Sequence, residues 1–457
     1  MSGMRWMEGL LALLLMAIPC GARAEESADD TAGAAYYEEM PAYLRVTQRM
    51  ETENVSRGSR IRRTYPTSAN AGVDAEIRAL VDELAGRNRA ALPEGTKESP
   101  AYLDVGAVIR RTGTSFMSFL TLAEISHERE QLGVDFDARV YDMETGERIA
   151  LTDVFPEESE AWALLSREVR EQLSAAFPEE TPDEGALEAL CRIEAIQSAP
   201  FTLGAAQLDL VYRADAVYPG KQTLLHVRVK YADIRALMTE RARAQTDNSR
   251  FRKVALTYDD GGALVYTRNV LDELRAYGAE ATFFIVGEMI GKNRYNLCRQ
   301  QDAGYSVQTH TYSHAYPNET TDEEKLEEKE RMARELSAVT GVAPTMMRAP
   351  GGMEAAYLRI GIGYPLIHWS LASGDSGNPN AKQIAERVFR GAKDGDIVLM
   401  HDINPRAADY TAVIARELTE RGFLLVTADE LFADAGVELA EGRVYFSTRR
   451  VEDSARN

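Results

Sequence analysis

Six histidines occur in the 457 residues, at positions 127, 226, 310, 314, 368 and 401. Two of them stand four apart in His310-Thr311-Tyr312-Ser313-His314. If that stretch is helical, both rings face the same way and can chelate a transition metal. The same spacing also describes an ordinary surface pair. Upstream, the apolar run Val254 to Tyr258 ends abruptly in Asp259-Asp260-Gly261-Gly262. Adjacent carboxylates repel, so holding both ionised calls for a cation nearby. Alone, those four residues read more readily as a solvated Asp-Gly turn. Together, one carboxylate and two imidazoles make a three-ligand set with positions open for water and substrate, which suits a catalytic divalent metal.

Three further segments carry polar groups in suggestive settings. Arg348-Ala349-Pro350-Gly351-Gly352 offers a tight turn beside an arginine, and Ser373-Gly374-Asp375-Ser376 a turn with a carboxylate. In Ile397-Val398-Leu399-Met400-His401-Asp402 an apolar strand ends in a histidine. The C-terminal ends of parallel strands are where α/β folds place their sites. Singly, each reads as well as a loop, a turn or a hydrogen-bonded structural histidine; their order and spacing shift the weighing.

In order along the chain stand TYDDG at 257–261, ATFFIVG at 281–287, HTYSH at 310–314, RAPGG at 348–352, SGDS at 373–376 and LMHD at 399–402. This series resembles the polysaccharide deacetylases, the NodB-type carbohydrate esterases of family 4. Their pattern runs T-F-D-D-G, A-T-F-F-x-x-G, H-T-x-S-H, R-x-P-x-G, a D-W motif and L-x-H-D. The likeness covers about residues 250–435. It implies a divalent metal, zinc first and cobalt or manganese otherwise, held by Asp260, His310 and His314. It implies Asp259 as the base toward the attacking water, with Arg348 as its partner. The Gly351 N–H would help hold the oxyanion, and His401 would be the general acid, oriented and charge-tuned by Asp375. Leu399 would line the pocket for the acetyl methyl. Three positions depart from the pattern: Gly262 replaces a usual proline, Gly351 a frequent tyrosine, and Ser376 the tryptophan beside the aspartate.

These groups need strands to carry them. Beyond residue 252, short apolar runs such as Val254–Tyr258 and Ala281–Val286 alternate with helical stretches at Val270–Leu274, Glu323–Val339 and Ile384–Phe389. Such alternation implies parallel strands with crossover helices. The expected fold is α/β, and the resemblance implies a distorted (β/α) barrel of polysaccharide-deacetylase type preceded by a smaller α+β domain. In the first half, helical spacing marks Gly72–Leu84 and Ala161–Leu173, and alternation marks Val134–Tyr141 and Thr223–Tyr231. Trp369 is expected to pack in the barrel, with His368 structural. The expected organisation is a signal peptide at 1–24, a disordered segment at 25–42, a wall-associated α+β domain at 43–238, a polar linker at 239–252, the catalytic domain at 253–440 and a tail at 441–457.

The leader combines Arg5, an apolar run from Leu10 to Ile18 and Ala22-Arg23-Ala24, the layout of a cleavable export signal. Its cleavage near Ala24 would leave Cys191 and Cys298, expected as free thiols in an extracellular or wall-associated protein. Residues 55–240 are similar to the extracellular domain preceding the catalytic domain in some peptidoglycan deacetylases, and to that of a lysozyme-sensing anti-sigma factor. The likeness rests on Tyr65-Pro66, Phe136–Phe155 and Phe201–Tyr231. It implies wall or lysozyme contact, or a spacer. With 52 Lys plus Arg against 72 Asp plus Glu, the formal charge of −20 excludes non-specific nucleic-acid binding. The implied activity is removal of N-acetyl groups from peptidoglycan amino sugars, N-acetylmuramic acid or N-acetylglucosamine. The alternatives are another acetylated glycan, such as chitin oligomers or acetyl-xylan, and a non-catalytic wall- or lysozyme-binding protein.

Overall fold

In the computed structural model, residues 40–453 are described, apart from Asn378. The expected signal peptide, most of the segment expected to be disordered, and the last four residues lie outside the described residues. Among the described residues no helix is long and apolar enough to cross a membrane.

The first half opens with an antiparallel pair, β1 (Thr47–Asn54) and β2 (Ser59–Thr67). A helix, Ala71–Asn88, then crosses over. Asn70 caps it by accepting from the Gly72 and Val73 N–H groups, and Val73, Ile77, Leu80, Val81 and Leu84 form its buried stripe. The crossover lets β3 (Ala101–Arg111) run parallel to β2. Strands β4 (Phe116–His127), β5 (Glu130–Asp142) and β6 (Arg148–Ile149) complete a six-stranded sheet by antiparallel pairing. A second, antiparallel sheet holds β7 (Phe201–Leu203), β8 (Gln207–Arg213) and β9 (Leu224–Lys230). The helix Ala161–Ala175 packs on it through Trp162, Leu165, Val169 and Leu173.

The second half is built on β10 (Arg252–Asp260), β11 (Thr282–Ile285), β12 (Ser306–Thr309), β13 (Leu366–Ile367), β14 (Leu371–Ala372), β15 (Asp396–His401), β16 (Phe423–Val426), β17 (Arg443–Ser447) and β18 (Arg450–Asp453). Strands β12, β11, β10, β15 and β14 pair in parallel in that order. Met347 then bridges Thr309 on one side and Leu366 on the other, both in parallel. Because β13 and β14 are successive parts of one stave, these two bridges close the sheet into a distorted barrel. Alternation sorts the two faces. Val254, Leu256 and Tyr258 pack outward with Val270, Leu271 and Leu274 of the helix Leu264–Tyr277. Ala255, Phe284, Ile367 and Ile397 share the inner cluster. Each of those large apolar side chains contributes about 1.5–3 kcal/mol when fully buried.

Two expected boundaries change. Residues 239–252, read as a linker from their polar letters, include a helix, Glu240–Gln245, capped by the Thr239 side chain and burying Ala242. Asn248, also buried, donates from Nδ2 to the Ala205 carbonyl at 2.5 Å. Residues 441–457, read as a tail, instead supply β17 and β18, which join the barrel sheet through β13 and β15. The alternation Val444 and Tyr445 then Ser447 was too short a signal to mark a strand on its own.

The two halves are fastened by buried charges. Glu124 on β4 accepts two hydrogen bonds from Arg275, at 2.7 and 2.9 Å, and faces Arg299 at 3.3 Å. Asp104 on β3 accepts from Arg62 at 2.6 Å, Arg268 at 3.1 Å and the Tyr295 hydroxyl at 2.9 Å. Burial alone would raise both carboxyl pKa values, but the surrounding guanidinium groups outweigh it and hold them low. Arg275, Arg299, Arg268 and Tyr295 all belong to the second half, so its helices reach into the first sheet.

Candidate metal centre

Every segment singled out for chemistry emerges at the C-terminal ends of the parallel staves. β10 delivers the carboxylates. Asp259 is buried on the inner face, and Asp260 then turns with φ 82°, followed by Gly261 at φ 71°. An L-residue in that left-handed region carries a cost of roughly 1–2 kcal/mol, so the surroundings must hold it. They do: the Gly261 N–H donates to Asp402 Oδ1 at 3.0 Å, and the Thr267 hydroxyl donates to Asp402 Oδ2 at 2.7 Å. Asn293 Nδ2 donates to the Gly261 carbonyl. Glycine suits position 261 for its dihedral, and a Cβ there would also push on Ile285, 2.4 Å from its Cδ1.

The His310–His314 segment is not helical, so a shared helix face is not what brings the two histidines together. Its rings converge by another route: Thr311 and His314 take φ of 63° and 58°, folding the loop back on itself. The ring centroids lie 4.9 Å apart. The His310 N–H donates to Ile285 O at 2.8 Å, tying the loop to β11. His310 Nδ1 lies 2.8 Å from the Arg348 carbonyl. A carbonyl only accepts, so Nδ1 carries the proton and Nε2 offers its lone pair to the site. From Asp260 Oδ1, His310 Nε2 is 3.9 Å away and His314 Nε2 3.8 Å. All three ligand atoms lie within 4.8 Å of one another. Ligands about 2.0–2.1 Å from a tetrahedral ion stand roughly 3.3 Å apart, so for the set to hold one first-row divalent cation the two distances from Asp260 shorten by about half an ångström. Burial, together with the neighbouring His310, lowers the His314 pKa despite the pull of Asp260 and Asp259, which favours the neutral, ligating ring.

Arg348 is fully buried behind this set. Its Nη1 donates at 2.7 Å to both Asp259 Oδ1 and Thr257 Oγ1; its Nε and Nη2 donate to the carbonyls of Ile367 and His368 at 3.0 Å each. The guanidinium lies 4.2 Å from the Phe284 ring centre. With Oδ1 occupied, Asp259 presents Oδ2 to the site, 3.6 Å from His310 Nε2.

On the opposite side, β15 carries His401. Its Nδ1 meets Asp375 Oδ1 at 2.9 Å, while Asp375 Oδ2 accepts the His401 backbone N–H at 2.7 Å and lies 2.9 Å from the Tyr410 hydroxyl. Burial by itself would lower the His401 pKa; the hydrogen bond and charge of Asp375, with the charges of Asp259 and Asp260, outweigh it and push the pKa up to about 9. For Asp375, burial is likewise outweighed, by the bonds it accepts from His401 and Tyr410, and its pKa is lowered.

The remaining expected residues fall around these. Leu399, half-buried, is two residues before His401 on the same face of β15, and its carbonyl accepts the Ser373 N–H at 3.1 Å. Gly351 has φ 63° in the turn directly after Arg348. Ser376 is exposed. Trp369, half-buried, packs against the inner cluster and stacks on His368 at 3.8 Å, and His368 Nδ1 meets Glu354 at 2.5 Å. Two supporting residues escaped the sequence reading. Asp402 was visible in LMHD without a role; Tyr410 lies on the following helix, Ala407–Glu420, with no local signal at all.

A family model described as polysaccharide deacetylase matches residues 246–360. Peptidoglycan-N-acetylglucosamine deacetylase PgdA of Listeria monocytogenes is 29% identical over 318 residues, 67% of this chain and 66% of that protein. That alignment is too long to be confined to residues 253–440, so the similarity extends beyond the barrel; the chain spans about two thirds of that relative's length. A peptidoglycan-N-acetylglucosamine deacetylase of Bacillus cereus is 35% identical over 186 residues, 39% of this chain and 87% of that protein. Peptidoglycan-N-acetylmuramic acid deacetylase PdaC of Bacillus subtilis is 32% identical over 178 residues, 39% of this chain and 38% of that one. With nearly the whole Bacillus cereus relative matched at that identity, the chain belongs to the polysaccharide deacetylase family.

Proposed function

We propose that this chain is an exported, metal-dependent deacetylase that removes N-acetyl groups from peptidoglycan amino sugars. The observation that carries the reading is the three-ligand set of Asp260, His310 and His314, flanked by the Arg348–Asp259 pair on one side and the Asp375–His401 pair on the other. A divalent ion bound there, zinc or cobalt by the donor chemistry, would polarise the acetyl carbonyl and acidify a water. Asp259 takes the proton of that attacking water at Oδ2, because Arg348 already fills Oδ1. The Gly351 N–H donates to the oxygen that gains charge as the carbonyl carbon becomes tetrahedral. His401 gives a proton from Nε2 to the departing sugar amine, and Asp375 holds its Nδ1 so that the ring is aimed and protonated. Leu399 packs against the acetyl methyl.

The substrate class rests on relatives named as peptidoglycan deacetylases. Their names include both N-acetylglucosamine and N-acetylmuramic acid, so the sugar is left to assay. Export rests on the leader at 1–24, and wall contact is assigned to the first half. The test is acetate release from purified peptidoglycan by protein beginning at Glu25, alongside chitin oligomers and acetyl-xylan. Mass spectrometry of the digested product identifies which sugar carries the free amine. Release from peptidoglycan that stops with chelator and returns with zinc or cobalt is expected. Release from acetyl-xylan alone, or from none of the three, would overturn the assignment.

A further inference from the structure

Three of the large apolar side chains that remain exposed stand on the loops just after site segments: Tyr316 beyond His314, Met353 beyond Gly351 and Ile403 beyond His401. Tyr316 is the aromatic member, 38% exposed. Its ring centre lies 6.4 Å from that of His314, tilted by 62°. Its Cε1 lies 2.9 Å from where a Cβ on Gly351 would stand, so the phenol occupies the space over the Gly351 turn. The backbone is fixed: the Tyr316 N–H donates to Glu319 Oε2 at 3.1 Å, and the Glu319 N–H donates to Tyr316 O at 2.8 Å. One edge of the ring thus packs on the turn that carries the Gly351 amide, and part of the residue remains open to solvent.

We infer that Tyr316 is the platform for the sugar ring that bears the acetyl group. A pyranose presents C–H groups on its faces and hydroxyls around its edge, so a rigid aromatic ring beside a polar centre suits it. Stacked there, the sugar lies between a metal-ligand histidine and the Gly351 amide, which points its N-acetyl group toward the centre. A chain of net charge −20 gains nothing from long-range attraction to anionic wall polymers, so contacts at the site itself must hold the sugar. This assignment rests on the function proposed above, and it places on one side chain the aromatic contact that Gly351 and Ser376 do not supply.

The test uses the full mature protein and soluble glycan strands of peptidoglycan stripped of their peptides. Calorimetric affinity is measured beside steady-state acetate release for Tyr316→Ala, Tyr316→Phe, Tyr316→Trp and the remote control Val55→Ala. Expected are a Kd and KM about tenfold higher for Tyr316→Ala, and values within about threefold of wild type for the aromatic replacements and the control. Melting temperatures should be alike across the set. Unchanged affinity in Tyr316→Ala overturns the platform, as does a loss in Tyr316→Phe equal to that in Tyr316→Ala. A lowered kcat with unchanged Kd also overturns it, and would make Tyr316 a prop for the Gly351 turn. A wild type that binds the strands yet releases no acetate would refute the proposed reaction while leaving the affinity comparison intact.

Discussion

Replacing Asp375 with asparagine should move the alkaline limb of the pH–rate profile more than it lowers the rate in acid. In the folded protein the ring of His401 is raised from 6.5 to about 9, because the bond and charge of Asp375, with those of Asp259 and Asp260, exceed the opposing effect of burial. That difference corresponds to roughly 3 kcal/mol in favour of the protonated ring. Asparagine removes the largest of the favourable contributions and leaves burial in place, so the pKa should return to about 6.5 or below. A general acid works only while protonated: one unit below a pKa of about 9 roughly nine-tenths of the rings are protonated, where a ring of pKa about 6.5 is only ~3% protonated, so the expected loss on the alkaline limb is roughly thirtyfold. A bound cation lowers both pKa values, so that loss opens at correspondingly lower pH. Stability follows the same sign. The pair stabilises the fold fully below about 6.5 and progressively less as pH rises through about 9, so melting temperature should fall over that window in wild type and less in the variant. The assay is acetate release between pH 5 and 10, with the His401 ring followed by nitrogen-resolved NMR. An alkaline limb that coincides in wild type and Asp375→Asn would refute the reasoning.

Other changes separate the parts of the site from the parts of the frame. His401→Ala should lose about 10²–10⁴ of the rate while binding one zinc per chain as wild type does, since His401 is outside the ligand set; a near-normal rate would remove it from the acid role. Arg348→Met strips a fully buried carboxylate of its cation and should cost about 3 kcal/mol in urea unfolding, with turnover lost. Glu124→Gln leaves Arg275 and Arg299 short of a buried countercharge, and should destabilise by a similar amount of about 3 kcal/mol. A change below about 1 kcal/mol would mean that this network contributes little to joining the halves.

Much of the site was legible because its residues sit in short contiguous segments at strand ends. Asp259 and Asp260 close an apolar run, His401 closes another, and strand–helix alternation between them implies parallel strands with crossover helices, which the family resemblance narrows to a barrel. What was not legible depends on contacts remote in sequence. Closure rests on Met347, one residue with bridges to Thr309 and Leu366, and no local pattern marks a one-residue stave. The convergence of His310 and His314 depends on two left-handed residues, which a spacing of four does not reveal. No local pattern pairs Arg275 and Arg299 with Glu124, which meets them from the other half. Polar letters made 239–252 look like a linker, although Asn248 is buried and bonded to Ala205.

The most direct test of the metal centre is anomalous diffraction from crystals of the mature protein grown with zinc. The expected result is a single strong peak about 2.0–2.2 Å from Asp260 and from Nε2 of both His310 and His314, absent in His310→Ala. No peak at those three side chains, or one held by other residues while acetate release proceeds, would contradict the assignment of this site as the reacting centre.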